Sequence, residues 1–76
     1  MRKNIKTLAK ELEVEDYCEY VMETAVNGQW ESVAKLVSEM RKDDLRDFAY
    51  MIWCGKYDMF SNRIQGGVLR EVLKAI

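Results

Sequence analysis

Seventy-six residues make one domain, spanning 1–76, near the lower limit for a core that folds unaided. With 49% apolar and 33% charged residues, no proline and four glycines, the composition is globular and permits uninterrupted helices. Two cysteines and no histidine exclude a disulfide-dense scaffold and remove the commonest general base and metal ligand, and the net charge of −1 selects no partner by itself.

The chain opens with Arg2, Lys3, Lys6 and Lys10 and no acid among its first ten residues. No apolar h-region follows, so this is not a signal peptide, and no run approaches the ~18 apolar residues of a membrane span. The expected location is cytoplasmic, away from membranes. Ile5, Leu8, Ala9 and Leu12 predict a short amphipathic helix over roughly residues 4–12. A break or bend falls within residues 13–16, which leaves open one kinked helix or two.

Val14, Tyr17, Cys18, Val21, Met22 and Ala25 form the next helical stripe. Asn27-Gly28 ends it, because glycine takes a positive φ without a Cβ clash. Trp30, Val33, Ala34, Val37 and Met40 restart the period at once, so the two helices are antiparallel neighbours with Trp30 packed across the joint. Arg41-Lys42 is expected to close this helix against its negative end, and Asp43 or Asp44 to cap the next.

Leu45, Phe48, Ala49, Ile52 and Trp53 give a third inward stripe. Phe48 to Cys54 is apolar on every side, and such a helix is buried all round or half an interface. A strand hairpin, Tyr50–Cys54 with Tyr57–Phe60, is the alternative, disfavoured by the continuous helical period. Gly55 is expected to end the helix and Gly66-Gly67 to end whatever precedes them. Val68, Leu69, Val72, Leu73 and Ile76 predict a last helix, with Ile76 packed on the core. The fold class is all-α: a small compact bundle of four to five short helices around a central antiparallel hairpin, Asp16 to Cys54.

Four functional readings compete. Ile5-x-x-Leu8-Ala9-x-x-Leu12-x-Val14 resembles the opening of a DNA-reading helix-turn-helix. However, Glu13 stands at the turn glycine, Glu19 at an apolar anchor, and the reading helix would carry Glu15, Asp16, Glu19 and Glu23 against phosphates. Gly28-x-Trp30 with Val33 and Val37 is similar to a tetratricopeptide unit, yet no 34-residue recurrence exists. Catalysis lacks its residues: Cys18 and Cys54 have no histidine to activate them and read as small buried hydrophobes, a disulfide between them being the alternative. Gln65-Gly66-Gly67 lacks the lysine of a phosphate loop. Asp43, Asp44 and Asp47 read as cap and first-turn acids and not as a metal site. No cofactor is expected.

An interface is the fourth reading. Residues 11–23 hold six acids and no base, a field that recruits a basic partner surface. Tyr20, Tyr50 and Tyr57 lie off or at the margin of their stripes, and tyrosine is enriched at interface hot spots. The expected partner-binding residues are therefore Glu15, Asp16, Glu19, Tyr20, Glu23, Tyr50 and Tyr57. The alternatives are a nucleic-acid regulator using Arg2, Lys3, Lys6 and Lys10, an acidic decoy of nucleic acid, and a homodimer joined through the Phe48–Cys54 helix.

Tyr20-Val21-Met22, Asn27-Gly28-Gln29, the Trp30 to Met40 helix, the charged break Arg41 to Asp44, and Phe48 are together similar to a pattern in small helical proteins encoded by phages and prophages. The resemblance covers about two fifths of the chain. It implies a non-catalytic protein that binds a host protein and modifies or inhibits it. No catalytic residue carries over.

Overall fold

The structure, a computed structural model, describes residues 2–76. Five helices follow in order: α1 (Ile5–Leu12), α2 (Tyr17–Val26), α3 (Trp30–Ser38), α4 (Lys42–Trp53) and α5 (Asn62–Ala75). The protein is an all-α bundle, with no strand among the described residues beyond an isolated parallel bridge between Lys3 and Met40.

Residues 13–16 separate two helices and do not kink one. Glu13 takes the left-handed conformation (φ 57°), and Val14 N–H donates back to Ala9 C=O at 3.0 Å, closing α1 as a Schellman turn. Asp16 then starts α2, its Oδ1 accepting from Glu19 N–H at 3.2 Å. Gly28 (φ 76°) turns the chain between α2 and α3, with Gly28 N–H donating to Ala25 C=O at 2.9 Å. The two helices pack on one another as a hairpin.

The charged break is built differently from its expected form. α3 ends at Ser38, so Arg41 and Lys42 are not in its last turn; Arg41 precedes α4 and Lys42 opens it. Neither Asp43 nor Asp44 caps α4, which has no side-chain cap. Asp44 serves α1 instead: its Oδ2 accepts from Ile5 N–H at 3.0 Å, while Asn4 Oδ1 accepts from Thr7 N–H at 2.8 Å. Two of the four unbonded amides at the start of α1 are thereby satisfied.

Lys3 N–H donates to Glu39 C=O (2.8 Å) and Arg41 N–H to Lys3 C=O (3.3 Å), which lays the N-terminal segment along the α3–α4 link. Arg2 then bridges two distant carbonyls, Met40 at 2.7 Å and Ala75 at 2.8 Å. The second contact ties down the end of α5. Ile76 itself is exposed and does not pack in the core as its apolar character suggested.

α4 remains helical to Trp53, and residues 54–60 form turns, so the strand hairpin is not formed. Leu45, Phe48 and Ile52 face inward. Gly55 (φ 89°) ends the helix, and Tyr57 folds back beneath it, its ring edge-on to Phe48 with centroids 5.8 Å apart.

Gly66-Gly67 does not end a helix. α5 starts at Ser61, whose Oγ accepts from Ile64 N–H at 3.3 Å, and runs through both glycines. Gly67 is required by packing: a Cβ there would lie 2.3 Å from Trp30 Cη2. The indole of α3 occupies the space a side chain on α5 would need. A helix-interior glycine costs about 1 kcal/mol relative to alanine, which burial of an indole face readily offsets. α5 packs against α2, α3 and α4, so it joins α4 to the hairpin. The core includes Tyr17, Val21 and Met22 of α2, Val33 and Val37 of α3, Leu45 and Phe48 of α4, and Val68 and Val72 of α5, with Leu8 of α1 and, between elements, Met40 and Tyr57.

Candidate functional site

α2 buries one side and exposes the other because its apolar residues recur at helical spacing. The residues it leaves exposed are Glu19, Glu23 and, at its last position, Val26. Val14, Glu15, Asp16, Glu19, Tyr20 and Glu23 line one shallow groove of about 460 Å³. Glu19 and Glu23, four residues apart, rise on one face of α2, and Glu15, in the segment before the helix, joins them at the groove; all three are exposed. None of them forms an ion pair among the described residues.

Helix physics explains part of this cluster. Asp16 is the N-cap, and Glu19 lies in the first turn, where the helix dipole favours negative charge. It does not explain Glu23, which lies near the opposite end, where no base accompanies it. Like charges at i, i+4 cost an isolated helix about 0.2–0.5 kcal/mol per pair. Tyr20, half-buried, stands at the edge of this groove and of a second cleft of about 320 Å³ between α1, α2 and α3, where Leu8, Leu12 and Leu36 contribute apolar wall.

Five of the seven residues expected to bind a partner are thus gathered. The other two are not. Tyr50 is exposed but lies on α4, outside the groove. Tyr57, expected at the surface, is 3% exposed and belongs to the core, because Gly55 turns its ring under α4 against Phe48 and Phe60. Among the described residues its buried hydroxyl has no hydrogen-bond partner by geometry.

Trp53, assigned by its period to the inner stripe, is 81% exposed, and Met59 is 71% exposed. Leu45, Phe48 and Ile52 already fill the inward face at a 3–4 spacing, and Trp53 falls one residue, or 100°, beyond it. That offset was the available signal. Exposed Asp43, Arg46, Asp47, Tyr50, Trp53 and Cys54 all lie along the outer side of α4.

The basic N-terminus is partly consumed by the fold. Arg2 holds the two carbonyls described above, and Lys3 pairs with Glu11 at 2.6 Å, whose hydrogen bond and charge raise the lysine pKa. Lys6 and Lys10 remain exposed. The left-handed turn that a helix-turn-helix requires is present, with Glu13 in the place of glycine, but the helix following it offers carboxylates.

Cys18 is buried and Cys54 exposed, both as free thiols, so no disulfide joins them and Cys54 is not the core residue its apolar neighbours suggested. Burial, with smaller contributions from Asp16 and Asp44, pushes the Cys18 thiol up to about 12, so it is held as an inert thiol. Among the described residues no three carboxylate or thiol side chains gather as a metal site, and no helix is long and apolar enough to cross a membrane. No known protein family matches the chain, and no similar curated protein or solved structure is found.

Proposed function

We propose that this is a small non-catalytic protein that binds another protein through the outer face of α2, with Glu15, Asp16, Glu19 and Glu23 supplying charge and Tyr20 an amphipathic anchor. The observation that carries this reading is the convergence of four carboxylates and one tyrosine on a single groove in which, among the described residues, no carboxylate is neutralised by an ion pair. Such a surface steers a basic partner toward it and selects against an acidic one. Tyr20 supplies contact area at low cost in side-chain entropy. The resemblance to phage and prophage proteins makes a host protein the expected partner, with modulation or inhibition as the outcome. Contact through Lys6 and Lys10 with nucleic acid is the weaker reading, since the fold already engages Arg2 and Lys3.

The double charge reversal Glu19→Lys/Glu23→Lys tests the reading. Both side chains are exposed, so far-ultraviolet circular dichroism should be unchanged while capture of the partner falls at least tenfold. Undiminished capture by the reversed protein would reject the α2 face.

A further inference from the structure

The outer side of α4 carries a second surface, and its argument does not rest on the α2 groove. Asp43, Arg46, Tyr50 and Trp53 follow a 3–4–3 spacing, with Asp47 and Cys54 beside them, and all six are exposed. This is the spacing of a coiled-coil seam. Tyr50 is 69% and Trp53 81% exposed, two large aromatics within one turn of each other. Contiguous exposed apolar surface is where interaction sites concentrate, and tryptophan and tyrosine are the residues enriched at their hot spots. None of Asp43, Arg46 and Asp47 forms an ion pair among the described residues.

We infer that this stripe pairs two copies of the chain, α4 against α4, antiparallel about a two-fold axis level with residue 48. The stripe is self-complementary in that direction alone. Run antiparallel, Asp43 comes level with Trp53 of the second copy, a carboxylate acceptor facing an indole N–H donor. Arg46 comes level with the Tyr50 ring of the second copy, a cation over an aromatic face. Asp47 lies within a turn of the opposite Arg46, and the two-fold repeats each contact. Run parallel, the same stripe sets Asp43 on Asp43 and Arg46 on Arg46, so like charges oppose the pairing.

The overlap covers about eleven residues, or about 16 Å of helix. That is about half or less of the ~20–30 residues per side of a standard stable interface, so the dimer is weak and forms with rising concentration.

Sedimentation velocity over a range from low-micromolar to sub-millimolar protein tests this. The 9.0 kDa monomer should shift toward twice that mass as concentration rises. Trp53→Ala and Arg46→Glu should each weaken the pairing at least tenfold, with circular dichroism unchanged because both side chains face solvent. Direction is read by cross-linking. In the antiparallel register the two Cys54 thiols are about 18 Å apart along the axis, beyond the ~7 Å Cα separation a disulfide tolerates. Mild oxidation of an Asp43→Cys variant should therefore join position 43 to Cys54 of the second copy. A monomer at every concentration, a dimer indifferent to Trp53→Ala, or preferential Cys54–Cys54 linkage of the unsubstituted chain would each overturn the proposal.

Discussion

Among the described residues the buried Tyr57 hydroxyl has no strong hydrogen-bond partner, only the neighbouring Cys18 thiol, while its ring packs edge-on to Phe48. Leaving a buried polar group unsatisfied costs about 1–3 kcal/mol, so the ring stabilises the fold in spite of its oxygen. Tyr57→Phe keeps the ring and deletes the orphan; chemical denaturation should show a gain of about 1 kcal/mol. A loss of that size would mean that the hydroxyl has a partner.

Titration of the core has a definite sign. Burial raises the Tyr17 and Tyr57 pKa values above the ordinary 10.0 and that of Cys18 from 9.0 to about 12. Above pH 9 the unfolded chain sheds these protons first, so it binds fewer than the native state and stability falls with pH. The denaturation midpoint should hold steady from neutral pH to about 9 and then decline toward 12. An unchanged midpoint across that alkaline range would contradict the burial of these groups.

Between elements, the contact that most constrains the bundle is Trp30 on Gly67. The adjacent glycines make opposite predictions. Gly66 has open space where a Cβ would go, so Gly66→Ala should stabilise α5 by about 0.5–1 kcal/mol. Gly67→Ala drives a methyl into the indole and should cost about 1–3 kcal/mol. It should also shift Trp30 emission in a Trp53→Phe background that leaves one tryptophan to report. Equal effects at the two positions would remove Trp30 from the face of α5.

This pair also shows where the sequence was legible. The periodic stripes, the Asn27-Gly28 corner and the stop at Gly55 depend on neighbours in the chain, and they could be read from it. Gly67 could not, because its role is set by a ring 37 positions earlier, and locally it resembles a helix breaker. Asp44 follows the same logic. Beside Leu45 it looks like the cap of its own helix, whereas the amide it satisfies belongs to Ile5, 39 residues away.

At the scale of the molecule, the chain ends are fastened by one guanidinium. Arg2 reaches Met40 and Ala75, so a residue that reads as a surface charge is a clasp between the α3–α4 link and α5. That use of Arg2, with Lys3 paired to Glu11, turns the balance of free charge away from the basic N-terminus and toward α2. The acidic side of α2 was legible in part, because a four-residue spacing places Glu19 and Glu23 on one helical face, whereas Glu15 reaches the same groove from the segment before the helix. The aromatic half of the site was not, since exposure of a tyrosine depends on what folds over it. Tyr20 kept its place, Tyr50 lies on another helix, and Tyr57 went into the core.

The central claim, that the α2 face recruits a protein, is tested most directly by one comparative capture from lysate. The unsubstituted chain, Glu19→Lys/Glu23→Lys and Lys6→Ala/Lys10→Ala serve as parallel baits, with bound proteins quantified by mass spectrometry. The account predicts a partner retained by the first and third baits and lost from the second. A partner retained by the charge-reversed chain and lost from the lysine variant would contradict it.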